Sequence, residues 1–164
     1  MRTYNAGNLE ASQKWAGDTG ERYGTNDRFT VFDSPEMGLR ALFRDIQTKV
    51  GKGYTLDQLM EVYAPMSENP TDKYTDYVKK KVGKNKIGME DVDNIVKGIV
   101  EFENMSYGKD WIDQYLNEDT FAIAKELAQY DLPHGLSYSD ALMRLPYEDL
   151  EADPFASGLW VILT

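Results

Sequence analysis

From Ser34 onward the apolar positions recur at helical spacing. In DSPEMGLRALFRDIQTKVG, Leu39, Leu42, Phe43, Ile46 and Val50 fall at i, i+3, i+4, i+7 and i+11, which places them on one stripe of a helix. Ser34 is an N-cap residue, Pro35 suits the first helical position, and Gly51 ends the run. YTLDQLMEVYAP predicts a second helix: Thr55 and Gln58 form a capping box, Leu56, Leu59, Met60 and Tyr63 are its apolar residues, and Pro65 closes it. A third helix is predicted to start near Pro70, with Tyr74, Tyr77, Val78 and Val82 on one side before Gly83. A fourth spans about 89–104, with Val92, Ile95, Val96 and Ile99 as its stripe, and shorter helices are predicted over 119–130 and 139–145.

The first thirty residues break this pattern. They are rich in Gly, Asn, Thr and Asp, show no helical period, and read as loop and short strands, with RFTVF (28–32) the best strand candidate. The expected fold is therefore mainly α (α+β): a helical domain with a small irregular or β lobe on its N-terminal side. The C-terminal third changes character again. PYEDLEADPFASGLWVILT is acidic, then loop-like, and ends in the apolar run 159–163, which either docks on the core or is offered to a partner.

Composition narrows the function classes. With 164 residues, 41% hydrophobic and 12% aromatic, the chain can form one compact domain with its own core. No stretch is long and apolar enough to span a membrane, and the opening MRTYNAGNLEAS lacks the apolar core of a secretory signal. The absence of cysteine removes disulfides and thiolate chemistry. A net charge of −10 argues against nucleic acid as a main partner. The five lysines of KKKVGKNK (79–86) are the local exception; they read as a solvated helix end, or else as a contact for an anionic polymer.

One residue stands out chemically. Continuing the fourth helix by a turn from Ile99 brings Glu103 onto its apolar face, close to the helix C-terminus. Burial and the helix dipole both disfavour the carboxylate there and raise its pKa, as a general acid requires. The structural alternatives are that the helix ends earlier or that Glu103 meets a lysine at the surface. Little else competes. His134 is the only histidine, so neither a Ser-His-Asp triad nor a multi-histidine metal site is expected, and no nucleotide loop, zinc-protease motif or calcium loop is present. No cofactor is expected. Glycoside cleavage fits what remains, since it needs carboxylates in an aromatic, amide-rich cleft. SENPTDKYTDYV (67–78) puts Ser67, Glu68 and Asn69 in one corner, which either caps a helix or forms the lip of such a cleft.

Five segments in order carry a resemblance. Asn5-Ala6-Gly7-Asn8-Leu9, Trp15-Ala16-Gly17, FTVFDSPEMGLRAL, YAPMSENPTDKYTDYV and GIVEFEN resemble bacteriophage lytic proteins of the lysozyme-like superfamily. Members of that family usually read N-N-P-G-N-[IL], W-x-G, F-x-x-F-x-S-x-E-x-G-x-R-A-L, Y-A-P-x-S-E-N-x-T-x-x-Y and a helix ending in H-E-N-G. The match covers residues 5–104. Ala6 stands in place of the usual proline, Phe102 in place of the histidine, and Met105 in place of the glycine after Glu-Asn.

The resemblance implies a peptidoglycan hydrolase that cleaves β-1,4 glycosidic bonds, of lytic transglycosylase, muramidase or glucosaminidase type. It would serve wall penetration or host lysis, as an endolysin or a virion part, and would reside in the virion or in the host cytoplasm before lysis. Glu103 would be the acid, and Asn5, Gly7, Asn8, Trp15, Tyr63, Ser67, Glu68 and Asn69 would line the substrate cleft. Ser34, Glu36, Gly38 and Arg40 match a structural helix start. For a second carboxylate, Asp18, Glu21, Asp27 and Glu68 are candidates; without one, a transglycosylase mechanism with a single acid-base residue is implied. The lytic domain would span 1–105, with 106–164 an acidic helical extension packed on the same domain or on a partner. Partners would be glycan strands and, for a virion part, other virion proteins. The alternative is a virion structural or adaptor protein that keeps this fold with little activity, to which the changes beside Glu103 and the apolar C-terminus point.

Overall fold

A computed structural model of the chain describes residues 2–65 and 71–146. The fold is mainly helical, with a small antiparallel sheet, and seven α-helices occur among the described residues. The chain order is β1 (Asp18–Tyr23), β2 (Phe29–Phe32), α1 (Pro35–Gly51), α2 (Leu56–Tyr63), α3 (Thr71–Val82), α4 (Val92–Asn104), α5 (Lys109–Leu116), α6 (Glu118–Leu127) and α7 (Tyr138–Met143). No helix among the described residues is long and apolar enough to cross a membrane. Ser67, Glu68 and Asn69 of the polar corner, and the apolar run 159–163, lie outside the described residues.

The capping chemistry sets the helix starts. The Ser34 hydroxyl accepts the Met37 amide at 3.2 Å. Thr55 and Gln58 bond reciprocally at 3.2 and 2.9 Å, the capping box expected there. Leu39, Leu42, Phe43 and Ile46 of α1 and Ile95, Val96 and Ile99 of α4 are fully buried, so both stripes face the core. The fourth helix begins later than expected, because a 3-10 turn at Met89–Asp91 precedes Val92. Helix α5 has no counterpart in the periodicity. It is eight residues long and opens on Gly108 without a side-chain cap, so the usual start signal is missing.

The core is continuous across residue 105. Helix α1 packs on α4, α5 and α6, and Tyr115, Ile123, Leu127 and Leu142 share one apolar cluster with the α1 and α4 stripes. Arg40, 2% exposed, and Arg44 fasten this half of the molecule. Arg40 donates to the carbonyls of Leu127 (3.1 Å) and Tyr130 (2.7 Å), and Arg44 to those of Ala128 and Tyr130 (both 3.0 Å). These carbonyls lie at and beyond the end of α6, where a cation also meets the negative end of the helix dipole.

Three of the five lysines of the lysine-rich segment pair with carboxylates of the protein itself. Lys79 pairs with Asp57 (2.6 Å), Lys81 with Glu101 (2.6 Å), and Lys84 with Glu90 (3.2 Å) and Asp91 (3.1 Å). His134 sits in its turn at 3.0 Å from Asp18.

The N-terminal lobe is a loop held against the sheet and the helices. β1 and β2 pair antiparallel, with Arg22 opposite Thr30 and Tyr23 opposite Phe29. The segment before them runs along the other edge of β2: Phe32 donates to the Thr3 carbonyl (2.8 Å), Thr30 to Leu9 (3.3 Å), and Ala11 to Arg28 (2.8 Å). Gly38 lets this segment lie on α1. A β-carbon at position 38 would fall 1.6 Å from the Tyr4 carbonyl oxygen, a backbone atom with nowhere to go.

Gly38→Ala is therefore expected to destabilise the chain by roughly 2–4 kcal/mol, the range for overpacking a buried site against backbone. Gly51→Ala is the control. It meets nothing within 4 Å, and replacing glycine near a helix end should change stability by no more than about 1 kcal/mol, toward greater stability. Urea denaturation of both variants checks the pair.

Candidate active site

The lobe and the helices leave a cleft of about 490 Å³ between them, within the range of small-molecule sites. Its walls come from the loop 7–15, the start of β2, the Asp45 and Lys49 side of α1, the end of α2 and the last turn of α4. Gly7, Asn8, Trp15, Tyr63 and Glu103 all line it, although they are spread over 97 positions of sequence between Gly7 and the α4 terminus.

Glu103 is half-buried in the last turn of α4. The Asn8 amide donates to Glu103 Oε2 at 2.7 Å, and the Tyr23 hydroxyl donates to Asn8 Oδ1, also at 2.7 Å. Asn8 adopts a left-handed backbone (φ 50°), which asparagine tolerates better than most residues, and this turns its side chain toward the helix. Burial raises the Glu103 carboxyl above the usual range, with the Asn8 and Tyr74 contacts opposing the shift only in part. Both structural alternatives for Glu103 fail. The helix runs on to Asn104, and the nearby lysine pair belongs to Glu101 instead.

The rings around Glu103 exclude water on one side. Tyr74 is buried, and burial together with the Glu103 charge holds its phenol neutral well above the ordinary range. Its hydroxyl makes no hydrogen bond of normal geometry. Phe102 stacks on the Tyr74 ring at 4.2 Å and completes an apolar wall. Asn104, next in the chain, is a structural tie. It donates to the Ala6 carbonyl (3.1 Å) and to Val100 (2.8 Å), and accepts from the Trp111 indole (3.2 Å).

Asn5 is not part of the cleft wall. It is buried, its amide donates to the carbonyls of Leu9 and Thr30 (both 2.9 Å), and its oxygen accepts the Leu9 amide (2.8 Å). With its hydrogen-bonding groups engaged inside the lobe, Asn5 shapes the turn that presents Asn8. Asp18 is likewise withdrawn. Burial alone would raise its carboxyl, but Arg22, His134 and the Gly20 amide outweigh that and hold it below the usual range. Glu21 and Asp27 are exposed and do not line the cleft.

Two carboxylates that periodicity did not single out do line it. Asp45 accepts from the Tyr63 hydroxyl and pairs with Lys49 at 2.7 Å. Glu10 pairs with Arg28 at 2.7 Å. The signal for Asp45 was its spacing: Asp45 and Lys49 stand at i, i+4 along the edge of the α1 stripe, a pairing that reads as an ordinary surface ion pair. Glu103 is held by an amide, whereas Asp45 and Glu10 are each paired with a cation.

No protein-family model and no curated protein matches the chain. The site is thus defined by its own geometry: one perturbed carboxyl, an amide aimed at it, and aromatic walls in a cleft that can admit a ligand.

The pH dependence of stability follows from the sign of the Glu103 shift. The folded state holds this proton to higher pH than the unfolded state, so the contribution is intact below the unfolded carboxylate pKa and is lost as pH rises through the folded value. Glu103→Gln removes that loss. Its melting temperature should match the wild type near a pH of about 3 and exceed it near pH 7, by a stability gain of at most about 1 kcal/mol. Thermal melts across that range measure the difference, and parallel curves would mean that Glu103 is unperturbed.

Proposed function

We propose that the chain cleaves the β-1,4 glycan strand of bacterial peptidoglycan, with Glu103 as its acid-base residue. The observation that carries this reading is the Asn8–Glu103 pair inside the cleft, at 2.7 Å, while among the described residues the other cleft carboxylates, Asp45 and Glu10, are paired with Lys49 and Arg28. A carboxyl raised by burial keeps its proton to higher pH than an exposed one and can deliver it to a leaving oxygen. Amide and aromatic groups such as Asn8, Trp15 and Tyr63 suit the ring faces and acetamido groups of wall sugars.

The pairing of Asp45 and Glu10 favours the single-acid route of a lytic transglycosylase over a two-carboxylate hydrolysis. In that route Glu103 gives its proton to the glycosidic oxygen as the C1–O bond breaks. A hydroxyl of the same sugar closes on C1 and returns its proton to the carboxylate. The acid is regenerated, and the product ends in an anhydro sugar, lighter by one water than a hydrolysis product.

Turbidity loss of purified cell wall, followed by mass spectrometry of the fragments, tests the reading. Glu103→Gln should lower the rate by at least about 100-fold, the lower bound for losing a general acid. Asp45→Asn should cost much less, and the fragments should carry anhydro ends. Retention of most activity by Glu103→Gln would remove Glu103 from the mechanism, and ordinary reducing ends would replace the single-acid route with hydrolysis. An inactive wild type would transfer the chain to the virion structural or adaptor reading.

A further inference from the structure

The cleft does not end at Trp15. Gln13, Trp15, Asp45 and Lys49 also line a second cavity of about 360 Å³, so the two adjoin along one side of α1. Lys14, Arg40, Arg44, Lys49 and Lys52 face this second cavity, against the carboxylates of Asp45 and Asp131. In a chain of net charge −10 that is a local reversal of sign.

The cations differ in what they are free to do. Arg40 and Arg44 are spent on the carbonyls at and beyond the end of α6, Arg44 also meets Asp131, and Lys49 holds Asp45. They are fixed sources of positive potential. Burial, with the neighbouring Arg44 charge, lowers the Arg40 guanidinium to about 10. Lys14 and Lys52 are exposed and have no ion-pair partner among the described residues. The Trp15 indole N–H, in the wall common to both cavities, is buried without a hydrogen-bond partner.

We propose that this second cavity binds a carboxylate-bearing branch of the substrate, the short peptide stem of the glycan strand, with Lys14 and Lys52 as its mobile charge contacts. The proposal rests on the glycan-cleaving reading and adds a site to it. A strand whose sugar linkage lies at Glu103 carries peptide branches a short distance away, and those branches bear free carboxylates. The adjoining cavity offers them a wall of cations, two of which are uncommitted. Lysine is suited to this task, since a flexible ammonium follows a carboxylate without the fixed geometry of a guanidinium. An anionic phosphodiester polymer of the wall has the same charge chemistry, and the test separates the two.

Calorimetric titration of the full chain carrying Glu103→Gln prevents turnover. The probes are a soluble disaccharide-tetrapeptide, the peptide-free disaccharide, the free tetrapeptide and a glycerol-phosphate polymer. The disaccharide-tetrapeptide should bind about tenfold more tightly than the peptide-free disaccharide, the size expected from two exposed charge contacts, and rising salt should erase the gap. Adding Lys14→Glu and Lys52→Glu should abolish it while leaving the peptide-free disaccharide unaffected; Lys14→Gln with Lys52→Gln should reduce it by less. Equal binding of the two disaccharides, or a gap that survives the double reversal, overturns the proposal. So does a phosphate polymer that binds more tightly than the peptide and competes with it. If the free tetrapeptide binds through the two lysines while neither disaccharide gains from its sugars, the peptide site stands and the glycan reading falls.

Discussion

The Asn104 side chain, 6% exposed, is the tie on which the site depends. Its amide reaches back from the last turn of α4 to the Ala6 carbonyl, joining residues 98 positions apart. Together with the Asn8–Glu103 hydrogen bond, it anchors the N-terminal loop on the helix that carries Glu103. A buried hydrogen bond of this kind contributes only about 1 kcal/mol net, but leaving either partner unsatisfied costs more. The loop is therefore held in one register. Gly38 supplies the complementary condition by letting the Tyr4 carbonyl sit where a side chain would otherwise be.

Asn5 and Asn8 divide the labour of the loop. Asn5 turns inward and ties Leu9 and Thr30 together, while Asn8 takes a left-handed backbone and points at Glu103. The same residue type serves fold at one position and site at the other, three residues away. The difference lies in burial and backbone angle, since both amides carry the same donors and acceptors.

Charge is arranged by the same logic. Asp45, Glu10, Asp18 and Glu101 each meet a cation. Glu103 is given an amide and rings instead, so desolvation dominates and holds the carboxyl above its usual range. The cations near the cleft are concentrated along α1, where Arg40 and Arg44 also stop α6 and bring the helices after residue 105 into the common core.

Periodicity and capping residues were enough to locate α1, α2 and α4, because a helix stripe and its N-cap are local in sequence. The position of Glu103 on the buried face of α4 was legible for the same reason. Helix α5 was not, since the residue at its N-cap is a glycine with no side chain to cap it and the helix is too short for its period to register. Nor was the fate of Asn5, Asp18 or Asp45. A carboxylate or amide reads alike in sequence whether it lines a cleft, ties a turn or meets a cation. Its role depends on neighbours such as Thr30, His134 and Tyr63, which only chain folding brings within hydrogen-bond reach. The sequence by itself determined the helical elements and the one carboxyl placed against its own apolar stripe. The tertiary structure decided which polar groups face that carboxyl, because hydrogen bonds and desolvation act through space at a few ångströms and carry no trace of their range along the chain.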